Sequence, residues 1–297
     1  MNILIAGFGD LGHQIALELQ RQSTPFAGSI LALRRRLTTE LPTGFGAVTT
    51  IRADLTEPAT LATLPDDISH AVYCATADSS TEQAYQKTYF EGLSNLIDKL
   101  SAQAVKPKIL FVSSTAVYGR EIEGVVDESS PTHPARFNGK VMLAAEQMLL
   151  QRAPDSVVLR LSGIYGPGRT QLLRGLMAGT TRIPDQPGYW ANRIHIEDAA
   201  RAVIHLLSDS HQNGVFIGTD SHPLPLDTLY TDLAMQIGAP APQAASPSPM
   251  MGKKKLSNRK LLSTGFEFKW PDSRTGYQEV IKSYFDAHPD ARRHPEQ

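Results

Sequence analysis

Short apolar runs recur along the chain with amphipathic stretches between them. NILIAG (2–7), SILALR (29–34), GAVTTIRAD (46–54), HAVYCAT (70–76), KILFVSS (108–114), SVVLRLSG (156–163) and GVFIGT (214–219) are such runs. They lack a strict in/out alternation, so they predict strands buried on both faces. DLGHQIALELQRQ (10–22) places Leu11, Ile15, Ala16 and Leu19 at helical spacing. Residues 80–103, NGKVMLAAEQMLLQ (138–151) and EDAARAVIHLLSD (197–209) also read as helices, with Asn138 as an N-cap and Asp198 capping the last. Strands alternating with helices imply parallel strands joined by right-handed crossovers. The expected architecture is a doubly wound α/β sheet of about seven strands.

The pattern loosens at 164–190 and 220–297. The second stretch holds APAPQAASPSPMMGKKK (239–255), a Pro/Ala/Ser loop whose basic end, Lys253 to Lys255, reads as solvated. The expected division is therefore 1–163 plus 191–219 as the sheet domain, and 164–190 plus 220–297 as a small C-terminal lobe.

Composition narrows the function classes. The chain has 297 residues, 41% of them apolar, enough for a large core, and a net charge of −1. Such balance gives no basis for nucleic-acid or membrane-surface binding. The one cysteine, Cys74, excludes an internal disulfide and a cysteine-based zinc site. No apolar run approaches the ~18 residues of a membrane span. The chain passes from Met1 straight into a strand, so a soluble cytoplasmic protein is expected.

GFGDLG (7–12) is a GxGxxG turn between the first strand and the first helix, the context in which it binds a dinucleotide. Gly7 permits the turn, Gly9 lets a pyrophosphate approach, and Gly12 lets helix and strand pack. Asp10 and Leu11 belong to the same helix start, whose N–H groups meet the phosphates. An NAD site asks for an acid at the end of the second strand, but this strand ends in Arg34, Arg35 and Arg36. Guanidinium forks suit a 2′-phosphate, so NADP is expected ahead of NAD. Asp54, ending the third strand, either faces the adenine or caps a helix over 57–64.

SSTAVYG (113–119), RLSGIYGPGR (160–169), NRIHIEDAARAV (192–203) and KKLSNRKLLSTGFEFKWPDSRTGY (254–277), together with the glycine turn, resemble the extended short-chain dehydrogenase/reductases, the NAD-dependent epimerase/dehydratase group. The resemblance covers nearly the whole chain. It implies a Rossmann domain with a C-terminal substrate lobe, and chemistry by a Ser/Thr, a Tyr and a Lys beside the nicotinamide. Ser114 matches the hydroxyl position, with Thr115 next to it; Lys140 matches the lysine; Ala75 and Thr76 pass beside the cofactor. The tyrosine position, four residues before Lys140, holds Arg136. Arginine stays charged at working pH and is no general base. The chain thus resembles an atypical branch that keeps the lysine and lacks the tyrosine. Arg136 either joins Lys140 around an anion, a cofactor phosphate or an acidic substrate group, or points to solvent. Tyr118, Tyr165, Tyr89 and His195 are the candidate substitutes, with the first two and His195 more often structural; Asn192 and Arg193 are candidates to face substrate. Cys74 reads as a small core residue and Asn95 as structural.

Two readings stand at this point. One is an NADP-dependent oxidoreductase or epimerase acting on a carbonyl or secondary alcohol of a small, sugar-derived substrate. The other is a binding module that senses NADP(H) without turnover. The resemblance also implies a homodimer formed through the helices at 80–103 and 138–151.

Overall fold

The computed structural model describes residues 2–21, 28–36, 48–247 and 252–292. Residue 22 of the first expected helix, residues 46–47 of the third expected strand, and residues 248–251 of the proline-rich loop lie outside the described residues.

In chain order the elements are β1 (Asn2–Ala6), α1 (Asp10–Arg21), β2 (Ile30–Arg34), β3 (Val48–Arg52), β4 (Ile68–Tyr73), α2 (Glu82–Tyr85), a π-helical turn (Gln86–Glu91), α3 (Gly92–Ser101), β5 (Lys108–Ser114) and β6 (Gly124–Val126). There follow α4 (Phe137–Arg152), β7 (Val157–Leu161), β8 (Gly163–Tyr165), α5 (Gln171–Met177), β9 (Arg182–Pro184), β10 (Trp190–Ala191), β11 (Arg193–His195), α6 (Ile196–Ser208) and β12 (Gly214–Gly218). The last are β13 (Leu224–Pro225), α7 (Leu226–Gln236), β14 (Gln243–Ala245), β15 (Lys254–Leu256), α8 (Arg259–Ser263) and α9 (Ser273–Ala287). None of the described helices is long and apolar enough to cross a membrane.

All seven expected strands join one sheet, in the order β12-β7-β5-β4-β1-β2-β3. From β7 to β3 each neighbouring pair is parallel. The chain leaves β1 toward β2 on one side and reaches β4 on the other, so the strand order reverses beside β1. Ligands of open α/β sheets bind outside the carboxyl ends at such a point. The strands are apolar because helices cover them: Leu4, Ile5, Ala6, Val72, Phe111 and Leu159 have no exposed surface. α1 turns Leu11, Ile15, Ala16 and Leu19 inward, as its spacing predicts.

The chain separates into two compact units. The first comprises the described residues of Met1–Tyr118, Pro131–Leu161 and Ala199–Phe216; the second those of Gly119–Ser130, Ser162–Asp198 and Ile217–Gln297. The boundaries differ from those expected because of two strand pairings. β6 pairs with β15, which places residues 119–130 in the second unit. β11 pairs with β8, which keeps residues 191–198 there as well. The Lys253–Lys255 run is not a solvated loop: Lys254 and Lys255 lie in β15, and the Lys255 ammonium sits 4.4 Å from the centre of the Trp190 ring.

A buried ion pair ties the first unit together. Arg160 on β7 meets Glu146 on α4 at 2.6 Å, with both side chains almost wholly buried. Glu146 also accepts the Ser113 hydroxyl, and Arg160 donates to the Tyr118 hydroxyl at 2.8 Å. Breaking one side of such a pair strands the other charge, at a cost of about 3–5 kcal/mol. The second unit has its own polar clamp. Asp198 does not cap α6; it lies in the first turn, and its carboxylate accepts the Lys269 and Trp270 N–H groups at 2.8 and 2.7 Å. Burial pushes the Asp220 carboxyl up to about 7, with Ser273 opposing the shift and Asp272 adding to it.

Two outcomes follow. Arg160→Met should lose about 3–5 kcal/mol in urea unfolding, and adding Glu146→Met should restore most of it, because the pair's members are costly mainly when left alone. The raised Asp220 carboxyl holds a proton that the unfolded chain has released above its ordinary value, so its contribution is complete at low pH and fades as pH rises toward about 7. Asp220→Asn should remove that slope, on the order of 3 kcal/mol, from unfolding measured between pH 4 and 7.

Candidate dinucleotide site

The carboxyl ends of β1, β2, β3 and β4 open onto one cavity of about 690 Å³ in the first unit. Gly7, Phe8, Gly9, Arg34, Arg35, Arg36, Arg52, Asp54, Cys74, Ala75, Thr76, Asp78 and Thr88 all line it.

The glycines show why the sequence turns here. Gly7 has φ +105°, and a Cβ on it would lie 2.3 Å from the Ala75 nitrogen. A Cβ on Gly12 would lie 2.5 Å from the Gly7 carbonyl oxygen. Both positions are closed by the protein itself. At Gly9 a Cβ would meet no atom of the described residues within 4 Å, so no packing among them demands glycine there. A pyrophosphate over the start of α1 fits that open place. Leu11 is buried beneath the turn, and Asp10 is the exposed first residue of α1; neither lines the cavity.

The arginines gather as expected, and acids join them that the end of the second strand does not carry. Arg35 forms a two-pronged ion pair with Asp78, both exposed. Arg34 lies over the Phe8 ring, 5.9 Å from its centre. The Asp54 carboxylate accepts the Thr56 N–H at 2.9 Å and the Thr56 hydroxyl at 2.8 Å, a turn preceding the 3₁₀ helix Pro58–Thr63. Asp54 therefore shapes that entry and lines the cavity at once, while Glu57 is the helix's N-cap. The Cys74 thiol donates to the Gly7 carbonyl at 3.1 Å, and burial pushes it up to about 12, so it stays protonated.

Arg52 and Asp78 line the cavity too, and both lie within five residues of a strand's carboxyl end, a signal that the sequence reading applied to charged groups only at the second and third strands. Thr88 had no such signal: it reaches the cavity because the π-helical turn places it there.

The expected catalytic residues lie elsewhere. Ser114 ends β5, the strand next to β4, and its hydroxyl accepts the Ala116 N–H at 3.2 Å; Thr115 behind it is buried. Arg136, exposed and extended, is the N-cap of α4, so the helix starts two residues earlier than an Asn138 cap implied. Lys140 is exposed as well. It lines a groove of about 430 Å³ with His133, Pro134, Leu143, Ala144 and Gln147, none of which lines the glycine-turn cavity. Helical geometry is the reason: α4 buries Gly139, Val141, Met142, Ala145, Glu146 and Leu149, and Lys140 falls on the stripe outside that face. Tyr118 and Tyr165 are buried, Tyr118 against Arg160 and Tyr165 stacked on Tyr277 at 4.4 Å. His195 is buried beside Glu279 at 3.0 Å, and burial lowers it to about 4, so it is neutral at working pH. Asn192 spans β15 through the Lys254 carbonyl and the Leu256 N–H, Arg193 donates to Tyr230, and Asn95 donates to the Leu55 carbonyl.

Gly9→Val should abolish dinucleotide binding by calorimetry and leave urea unfolding within about 1 kcal/mol of wild type, because its side chain enters space the chain does not fill. Gly7→Val should destabilise by more than about 2 kcal/mol, because both its φ and its neighbours exclude a side chain.

Comparison with known proteins agrees with this geometry. Residues 3–218 match the family model described as the NAD dependent epimerase/dehydratase family. A solved structure from Methylobacillus flagellatus, described as a candidate NAD-dependent epimerase/dehydratase, is 37% identical, covers 95% of this chain and 98% of its own, and superimposes with a TM-score of 0.75. Protein YeeZ of Escherichia coli (strain K12) is 32% identical over 188 residues, 62% of this chain and 66% of YeeZ. D-erythronate dehydrogenase of Cupriavidus necator is 30% identical over 185 residues, 57% of each chain. The matched stretch thus spans less than two thirds of either curated relative. The Rossmann-type sheet, the glycine turn with a nicotinamide-dinucleotide cavity, and the family match coincide: this chain belongs to the NAD-dependent epimerase/dehydratase family.

Proposed function

We propose that the protein is an NADP(H)-dependent oxidoreductase acting on a secondary alcohol, or the matching carbonyl, of a small sugar-derived acid. The observation that carries the cofactor half is four arginines, Arg34, Arg35, Arg36 and Arg52, around the cavity that holds the glycine turn. Two carboxylates, Asp54 and Asp78, leave that lining net positive. The Arg35–Asp78 pair is exposed, and such pairs are worth about 0–1 kcal/mol. A 2′-phosphate therefore displaces Asp78 from Arg35 at little cost and gains a charge-assisted fork. The start of α1 takes the pyrophosphate. When bound, the dinucleotide supplies hydride exchange at its nicotinamide. The substrate half is supported by the match to D-erythronate dehydrogenase. Ser114, which accepts one hydrogen bond, keeps an O–H to donate to the reacting oxygen.

A second reading, a sensor that binds NADP(H) without turnover, draws on the outward placement of Lys140 and Arg136. Sustained NADP⁺ reduction with D-erythronate or another small sugar acid rejects it.

Calorimetry should find NADPH bound at least ~10-fold more tightly than NADH, about 1.4 kcal/mol or more. Arg35→Ser with Arg36→Ser should weaken NADPH ~10–100-fold, as expected for charged hydrogen bonds worth about 1.5–3 kcal/mol, and leave NADH unchanged. Equal affinities for the two dinucleotides in the wild type would sink the NADP(H) assignment.

A further inference from the structure

We propose that Asp78 sets the cofactor preference of this site. Its carboxylate occupies, on Arg35, the seat of a 2′-phosphate, and for a dinucleotide without that phosphate it accepts the ribose 2′-hydroxyl. The inference rests on the NADP(H) reading above and names the residue that tunes it.

The acid that an NAD site asks for is missing from the end of β2 but not from the cavity. β2 ends in Arg34, and Arg35 and Arg36 follow it. Asp78 lies five residues beyond β4, and both amino groups of the Arg35 guanidinium donate to it, one to each carboxylate oxygen. β2 and β4 pair with β1 on its two sides. The ion pair therefore joins chain from either side of β1, and the Gly7–Gly9 turn that follows β1 lines the same cavity. A dinucleotide with its pyrophosphate on that turn places its adenosine ribose at the end of β2, where Arg35 stands.

The short loop from β4 to α2 delivers Asp78 to this place. At one end the Cys74 thiol donates to the Gly7 carbonyl at 3.1 Å, and the Cys74 N–H donates to the Ala6 carbonyl at 2.9 Å. At the other end the Thr81 hydroxyl caps α2 by accepting the Ala84 N–H at 3.3 Å. Further charges gather on the pair. Asp54 acts on Arg35, Arg36 acts on Asp78, and all four line the cavity. Cations and carboxylates thus stand side by side where one ribose carbon is to be read.

The substituent on that carbon decides which of the two groups it meets. A carboxylate seated on Arg35 lies where Arg35 would hold a 2′-phosphate, so it is within reach of a 2′-hydroxyl on the same carbon. The hydroxyl donates to Asp78 in a charge-assisted bond, and Arg35 keeps its partner. A phosphate in that position repels Asp78 and takes the guanidinium fork itself. The Arg35 and Asp78 side chains are 52% and 68% exposed, so Asp78 swings into water at little cost. Asp78 therefore works for the unphosphorylated dinucleotide and against the phosphorylated one. Arg34, Arg36 and Arg52 around the same cavity keep the balance toward NADP(H).

Opposite signs for the two cofactors give a test free of substrate. NADPH and NADH affinities are measured by calorimetry for wild type, Asp78→Ala and Asp78→Asn, with urea unfolding as the control for an exposed position. Asp78→Ala should tighten NADPH ~5-fold or more, because a like charge and a competitor for Arg35 both go. The same variant should weaken NADH ~5-fold or more, because the acceptor for the 2′-hydroxyl goes. Asp78→Asn keeps an acceptor oxygen and loses the charge, so it should tighten NADPH as much and recover part of the NADH loss. Urea midpoints should stay at the wild-type value. A merely structural role moves both affinities in the same direction. That result, or an NADH affinity left unmoved by Asp78→Ala, overturns the assignment. The wild type separates this inference from the reading beneath it. Equal wild-type affinities for NADPH and NADH remove the NADP(H) assignment first and this one with it. A wild-type preference for NADPH with same-signed variants removes the role of Asp78 alone.

Discussion

Where β1 ends, the backbone of Gly7 runs so close to the end of β4 that no side chain fits between them, 2.3 Å being all that a Cβ would have. That close approach sets the rest. The thiol of Cys74 closes onto the Gly7 carbonyl, and Gly12 brings α1 down onto the same oxygen. The start of α1 is thereby aimed over the sheet's reversal point, where the glycine turn lines the cavity. The arginines of β2 and β3 and the loop after β4 line that cavity because their strands are registered against β1 and β4.

Two kinds of ion pair serve different ends in the first unit. Glu146 and Arg160 meet out of water; Glu146 accepts the Ser113 hydroxyl, Arg160 donates to the Tyr118 hydroxyl, and together they lock α4 onto β5 and β7. That pair fixes structure because neither member can leave without stranding the other. Arg35 and Asp78 meet in water, where separation costs little. They form a contact that a phosphate can exchange. The same side-chain chemistry is permanent in one place and exchangeable in the other because burial sets the dielectric.

The entrance to α4 shows how a motif's spacing in sequence leaves its side-chain directions open. Arg136 and Lys140 keep the spacing of the family pair, yet the helix rotates Lys140 onto an outer groove and leaves Arg136 exposed at its start.

Sequence alone determined the seven strands, the position of the glycine turn and the gathering of Arg34 and Arg35 at the end of β2. These are local or periodic properties: apolar runs long enough to bury, glycines at set spacing, charges at a strand's end. It also supported the resemblance that the family match bears out. Tertiary structure decided what those properties meet. Asp78 and Arg52 join the arginines only because β4 and β3 flank β1 and β2 in the sheet. Residues 119–130 joined the second unit because β6 found β15 more than a hundred residues away, which also turned the lysine run from a loop into a strand. Lys140 lines an outer groove because its direction follows from which face of α4 is buried, and Glu146 on that face is held by an arginine on β7. Side-chain direction and ionic partnership depend on neighbours distant in the chain, and no local spacing encodes them.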